Sequence, residues 1–311
     1  MAKADRNNPK RSKAAESDYT LIEFMRDFPD DRTCLHWLWM QRFSPDGEHA
    51  HCPKCEVERK FHRTASRPSY SCDHCGHHIH PTAETIFHKS STSLQLWIYA
   101  IYLVTSTRCG ISAKQLEREI GVGYKTAWRM LNKIRTELMG DDYSDPLSGE
   151  VEMDETLVGG KPRKGEIKTK RDIPKWVAGK ASVFAAVERD GRAMAKVVPN
   201  SKGASLKKAI GDGIDPDAAI FTDQYRAYMK IAAEYGSHDR VNHKQREYVR
   251  GNVHTNTVEG FFGNLKNSLQ GTHHGVSEKW LQSYLDEHTW RYNNREGIES
   301  MFGKLLNRTA Q

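Results

Sequence analysis

The chain is 311 residues long, 37% hydrophobic and 28% charged, with a formal net charge of +7 and a pI near 9.0. That length exceeds one typical domain, so two or three folding units are expected, and the basic balance favours a polyanionic partner, nucleic acid and membrane surface alike. The sequence has no run of about 18 apolar residues, which excludes a transmembrane helix, and its polar start MAKADRNNPKRSKAAESD has no hydrophobic signal core, so a cytoplasmic protein is expected.

Taken in order, residues 1–18 read as a disordered basic arm, either touching phosphates or simply solvated. Residues 19–90 begin with a helix around CLHWLWMQRF and continue into a cysteine-rich segment. Cys52, Cys55, Cys72 and Cys75 form C-P-K-C and C-D-H-C pairs with 16 residues between them, a spacing inside the zinc-site range. Thiolates so arranged offer one structural Zn2+ a closed tetrahedral shell from two tight turns. A disulfide framework would need an oxidising compartment, of which the sequence gives no sign. The intervening stretch, with Phe61, His62 and Tyr70, reads as the hairpin of a zinc ribbon. His74, His77, His78 and His80 crowd the second pair and are read as surface or supporting groups rather than ligands. Lys54, Arg59, Lys60, Arg63 and Arg67 make the ribbon basic, so it is either a DNA contact or only a staple for a small domain. Cys34 and Cys109 are expected to be buried small hydrophobes.

In residues 91–140, Ser93 opens an apolar helical run, SLQLWIYAIYLVTS. Ser112 then reads as an N-cap, Leu116 and Ile120 as a buried face, and Gly121 as the turn into a second helix, YKTAWRMLNKIR. Lys125, Arg129, Lys133 and Arg135 lie on and around one face of that second helix. This is the layout of a helix-turn-helix offering its second helix to the major groove; a plain helical hairpin shares the periodicity. Residues 141–149, DDYSDPLSG, read as a linker.

Residues 150–311 open with a strand ending at a Gly pair, GEVEMDETLVGG, and a basic insert over residues 161–180 read as a DNA-contacting or solvated loop. A hairpin cornered at Asp190-Gly191 follows. Then come a helix GASLKKAIGDGI, a short strand DAAIFTDQY, a helix YRAYMKIAAEYG, and a strand or edge segment VNHKQREYVRG. Helices over HTNTVEGFFGNLK and SEKWLQSYLDEHTWRYNNREG close the series. Three antiparallel strands, a helix, a strand, a helix, a strand and a helix is the order of a ribonuclease-H-like α/β fold, a mixed five-stranded sheet with flanking helices.

Three acids stand out within it: Asp154 and Asp223, each closing an apolar strand, and Glu259 on a helix. The sequence separates them by 68 and 35 residues. Carboxylates converging from two strands and a helix suit a pair of hard divalent cations. Two Mg2+ ions about 3.5–4 Å apart activate a nucleophile and stabilise a leaving oxygen in phosphodiester chemistry. Asp154 is read as shared by both ions, Asp223 and Glu259 as serving one each. Glu152 and Glu155 are read as bystanders. Lys266, two turns beyond Glu259 on the same helix face, is read as a contact to a terminal DNA phosphate, with His243 and His254 as further candidates; a surface lysine without a role is the alternative.

The ordered series CPKC…CDHC, LWIYAIYLVTSTRCGISAKQLEREIGVGYKTAWRMLNKIR, MDETLVGGK, FTDQYRAY and VNHKQREYVRGNVHTNTVEGFFGNLK, with the tail GTHHGVSEKWLQSYLDEHTWRYNNR, resembles bacterial insertion-sequence transposases with a DDE catalytic domain, of the zinc-ribbon group called ISXO-like. The resemblance runs from about Phe24 to Arg295 and departs from the family at Phe262, where members commonly carry Trp. Position by position it puts the acidic triad on Asp154, Asp223 and Glu259 and the trailing basic residue on Lys266. The third acidic position varies in this group, some members carrying Asn, and Asn256 stands nearby. The resemblance implies a DNA transposase using two Mg2+ per site, with Mn2+ able to substitute. Such an enzyme binds terminal inverted repeats, nicks the ends and joins the 3′-hydroxyl to target DNA. It also implies double-stranded DNA as partner, a homodimer or larger synaptic complex, a nucleoid-associated place in the cytoplasm and no membrane. A non-cutting regulator derived from a transposase, and a ribonuclease-H-like nuclease without strand transfer, are the other readings.

Overall fold

The computed structural model describes residues 19–107, 109–140, 145–160, 179–245, 247–296 and 299–311. The expected basic arm, residues 141–144 of the linker and residues 161–178 of the basic insert lie outside them. The chain divides into two units, Met1–Leu138 with Arg295–Gln311, and Met139–Asn294. The sequence reading kept the last residues with the 150–311 domain. They group instead with the first unit, because the apolar face of the C-terminal helix Met301–Arg308 finds its aromatic partners there.

The first unit opens with α1 (Leu21–Asp27) and α2 (Asp31–Arg42), followed by four short strands, β1 (His49–Cys52), β2 (Val57–Arg63), β3 (Tyr70–Cys72) and β4 (His78–Ile79), paired antiparallel in that order. So small a sheet has little core of its own, and Trp39 of α2 supplies one. Its ring stacks on Tyr70 at 4.3 Å and meets Phe61 at 5.4 Å, while its indole N–H donates to the Gly47 carbonyl at 3.0 Å. Helices α3 (Leu94–Ser106), α4 (Ala113–Ile120) and α5 (Tyr124–Lys133) follow. Ser93 caps α3 and Ser112 caps α4, Leu116 and Ile120 are buried, and Gly121 ends α4 in the left-handed conformation, φ 69°, that glycine adopts without strain. These four features stand where the sequence put them.

Phe302 of the C-terminal helix stacks on Tyr19 at 4.7 Å and meets Phe24, Phe28 and Tyr102 within about 6 Å, and Arg308 donates to the Leu138 carbonyl at 2.8 Å. Truncating a buried phenylalanine costs about 3–5 kcal/mol. Phe302→Ala is therefore expected to lower the urea midpoint of the first unit and leave the transition of the second in place; a loss falling on the second unit would contradict this assignment.

In the second unit, β5 (Glu150–Val158), β6 (Ala181–Glu188) and β7 (Ala193–Val198) form an antiparallel meander. After α6 (Gly203–Ile210), strand β8 (Ala219–Thr222) pairs parallel to β5; after α7 (Arg226–Ala232), strand β9 (Ser237–Arg240) pairs parallel to β8. The order is β7-β6-β5-β8-β9, a mixed five-stranded sheet with flanking helices, compatible with the ribonuclease-H-like reading. The fifth strand is SHDR, not VNHKQREYVRG as expected: the latter forms a 3-10 turn at His243–Gln245 and the first strand of a small hairpin, β10 (Val249–Arg250) with β11 (Val253–His254). A largely exposed edge strand need not carry apolar alternation, and SHDR carries none.

Side chains alternate across the sheet. One face, with Val151, Met153, Phe184 and Ile220, packs on α6 and α7 through Leu206, Tyr228 and Ile231. The other, with Val183, Ala185 and Val187, packs on α8 (Asn256–Ser268) and α9 (Glu278–Asn293) through Val258, Phe261, Leu265 and Leu285. Two amides of α9 serve the outer edge of β7. Gln282 accepts from the Val197 N–H and donates to the Ala195 carbonyl, and Asn293 accepts from the Ala193 N–H and donates to its carbonyl.

Candidate active site

Strand β5 crosses the middle of the sheet, and residues facing each other in an antiparallel pair share a face. Glu152 is opposite Val187 and Asp154 opposite Ala185, so both carboxylates are on the α8 side; Glu155, opposite Phe184, is on the α7 side. Strand β8 runs parallel to β5 with Glu152 beside Phe221. Asp154 lies two residues beyond that last pair on β5, and Asp223 two residues beyond it on the β8 side, just past the end of that strand at Thr222. Glu259 lies in the first turn of α8, where its Oε1 accepts from the Thr255 hydroxyl at 3.0 Å and stands 3.8 Å from His243 Nε2.

Asp154 feels the charges of the other two acids. Burial pushes the Asp154 carboxyl up to about 7, the Glu155 N–H donating to it opposes the rise, and the charges of Glu155, Asp223 and Glu259 add to it. Burial likewise raises Glu155 to about 6, against a hydrogen bond from the Tyr228 hydroxyl. A divalent cation would relieve this excess of negative charge, and an all-oxygen donor set fits Mg2+ or Mn2+. No trio of carboxylates among the described residues closes to the 4.8 Å mutual spacing that one ion would favour; two ions sharing Asp154 need no such closure.

A pH dependence follows. Asp154 titrates near 7 in the fold and near 3.9 in the unfolded chain, so the folded state binds more protons between about pH 4 and 7. The group's stabilising contribution is complete below the unfolded value and lost as pH rises through 7. In metal-free protein, the stability difference between wild type and Asp154→Asn is expected to shift against the wild type from pH 5 to pH 7.5 in denaturant titrations. Saturating Mg2+, which binds the ionised form, should shrink that shift; a difference constant with pH would contradict the burial of this carboxyl.

Glu152, which the sequence left as a bystander, is fully buried and belongs to the site's framework. Its Oε1 accepts from Arg189 Nε at 2.8 Å and from the Thr257 hydroxyl at 3.0 Å; its Oε2 accepts from the backbone N–H groups of Thr257 at 2.8 Å and Val258 at 3.1 Å. His254 sets Nδ1 2.9 Å from Oε1 without a hydrogen bond to it. An acid at i−2 from Asp154, on the same face of the strand, was the available signal.

Of the remaining candidates, Lys266 is half-buried seven residues beyond Glu259 on α8, and Asn256 is exposed at its start. Lys125 and Arg129 are exposed on α5. Lys133 instead donates to the Ile86 carbonyl at 3.4 Å and pairs with Glu137 at 3.5 Å, and Arg135 is buried, so the basic face is narrower than the sequence suggested. The four paired cysteines bring their Sγ atoms within 4.8 Å of one another and could hold a zinc ion. No histidine joins that group, and His78 faces Ser69 Oγ at 3.2 Å. Cys34 is buried as expected; Cys109, beyond the end of α3, is exposed, contrary to the reading.

The ISXO2-like transposase domain matches residues 146–293. An uncharacterized protein in the transposable element ISH50 of Halobacterium salinarum is 29% identical over 249 residues, covering 76% of this chain and 82% of the relative. An uncharacterized transposase-like protein of Haemophilus influenzae is 32% identical over 100 residues, 32% of this chain and 80% of the relative. Among the described residues, no helix is long and apolar enough to cross a membrane.

Proposed function

Given that the chain belongs to the insertion-sequence transposases with an ISXO2-like domain, we propose that it binds the terminal inverted repeats of its element, nicks them and joins the freed 3′-hydroxyl to target DNA. The observation that supports this best is a single buried carboxyl, Asp154, that feels the charges of both Asp223 and Glu259. The second unit is then a ribonuclease-H-like catalytic domain, in which Asp154, Asp223 and Glu259 would hold the Mg2+ ions. When bound, the ions supply activation of the attacking oxygen and stabilisation of the leaving one. The chain's own residues fix the rest. Asp154 on β5, Asp223 just past the end of β8 and Glu259 on α8 set where the scissile phosphate sits, and Lys266 holds a non-bridging oxygen of the DNA end. Cleavage breaks the P–O3′ bond, the attacking water supplying the oxygen of the new 5′-phosphate and the 3′ oxygen leaving as a hydroxyl. In joining, that hydroxyl attacks a target phosphorus, forming a new P–O3′ bond as the target's own P–O3′ bond breaks and its 3′ oxygen leaves as a hydroxyl.

In the first unit, a zinc ion on Cys52, Cys55, Cys72 and Cys75 staples the ribbon, and α4–α5 acts as a helix-turn-helix presenting Lys125 and Arg129 to the major groove. Because two ends must be brought together, a dimer or larger synaptic complex is the working form. The test is cleavage of DNA carrying the element's own ends in Mg2+, with nicked and joined products expected. Tight end-binding without any cutting would favour the regulator reading instead, and cutting without joined products the nuclease.

A further inference from the structure

Helix α8 has no N-cap of its own. The Thr255 hydroxyl, at its N-cap, donates to the Glu259 carboxylate and accepts no N–H of the first turn, yet the N-terminal N–H groups of a helix need acceptors and favour a negative charge. Glu152 fills both needs from a strand more than a hundred residues earlier, accepting from Thr257 and Val258, the second and third residues of the helix. Glu259 is the next residue on.

Arg189 holds Glu152 in turn. Its guanidinium is 11% exposed and donates to Glu152 Oε1, to Glu150 Oε2 at 2.9 Å, to Asn252 Oδ1 at 3.0 Å and to the His254 carbonyl at 3.1 Å. It also lies 4.1 Å from the centre of the Phe221 ring. Arg189 thus touches Glu152, two residues before Asp154, Phe221, two residues before Asp223, and His254, five residues before Glu259. One side chain reaches all three segments that carry the acids.

We propose that Glu152, locked by Arg189, is a positioning residue that sets Glu259 opposite Asp154 and thereby fixes the affinity of the site for divalent cations. It is not itself a ligand. Both its oxygens are taken, each by two donors, and it is fully buried. A glutamine in its place has one acceptor oxygen and turns an amide N–H toward groups that are themselves donors. Groups that orient ligands in this way change metal affinity by about 10- to 100-fold when removed. The proposal rests on the reading of the three acids as cation ligands.

The test uses the full chain with Glu152→Gln and titrates Mn2+ by calorimetry, alongside amide exchange in the first turn of α8 and binding to end DNA in the absence of metal. The expected result is a cooperatively folding variant whose Mn2+ affinity falls tenfold or more, whose Thr257 and Val258 amides exchange faster, and whose DNA affinity is unchanged. Faster exchange with unchanged Mn2+ affinity would reduce Glu152 to a stabiliser and overturn the proposal. Lost Mn2+ affinity with unchanged exchange would make it a ligand and overturn it equally. If Glu152→Gln does not fold, Thr257→Val, which keeps the backbone N–H bonds and deletes one hydroxyl donor, carries the test, with a roughly threefold weaker affinity expected and wild-type affinity overturning the idea. A wild type that binds no Mn2+ would remove the three-acid reading itself, and this inference with it.

Discussion

Asp223→Asn is expected to leave the protein folded and bound to its DNA ends while slowing cutting and joining by on the order of 10^3-fold or more, about 4 kcal/mol in the barrier. The amide keeps the Oδ1 atom that accepts from the Tyr225 N–H at 2.8 Å, so the turn after β8 is preserved. What disappears is a negative charge. On the proposed reading a cation ligand is lost, and one of the charges that push up the neighbouring Asp154 carboxyl is lost with it. The signature is therefore a dead enzyme whose metal-free form is no less stable than wild type above pH 7. Radiolabelled end cleavage in Mg2+, filter binding and a thermal melt read the three quantities. A variant that cuts at the wild-type rate would show that the chemistry lies elsewhere.

Removing the metal from the ribbon should have the largest effect on structure. Each cysteine pair closes a knuckle in the same way. The N–H of Glu56 donates to the Cys52 carbonyl and that of Gly76 to the Cys72 carbonyl, both residues with positive φ. Four thiols packed this closely are expected to bind one zinc per chain, and sites of this type supply about 10–16 kcal/mol in isolated finger peptides. Strong chelation, or Cys72→Ser, should therefore unfold β1–β4 and free Trp39 from its stack on Tyr70, seen as a red-shifted tryptophan emission. The unfolding transition of the second unit should persist. Purified protein with no zinc and a native emission spectrum would remove the metal from the account.

Elements with a local cause were legible in the sequence. Ser112, Gly121 and the two cysteine pairs declare themselves within a few residues, and Asp223 stands where an apolar strand runs out, whereas Asp154, expected at a strand end, lies in the middle of β5. Whatever depends on a distant partner was not. Glu152 reads as one more acid until Arg189, 37 residues on, and Thr257, 105 residues on, are brought to it. The largely exposed strand SHDR has no apolar rhythm because it joins the sheet through its backbone and its side chains make polar contacts, His238 with the Thr222 hydroxyl and Asp239 with Arg250. Phe302 could be recognised as apolar, but not as belonging with Tyr19 and Phe24 across most of the chain. Lys133 lies on the helix face predicted for it, and tertiary contacts claim its ammonium.

The amides of Gln282 and Asn293 have a consequence for assembly. An unpaired strand edge is a template on which another chain can add, and β7 would be one if its outward N–H and carbonyl groups were free. Here the Ala193 N–H and carbonyl, the Ala195 carbonyl and the Val197 N–H are occupied by side chains that cannot themselves continue a ladder. The sheet is thus terminated on that side, much as a zip is by its stop. A second copy would therefore find no free ladder to extend where these amides lie, and an assembly of the chain would have to form through other surfaces.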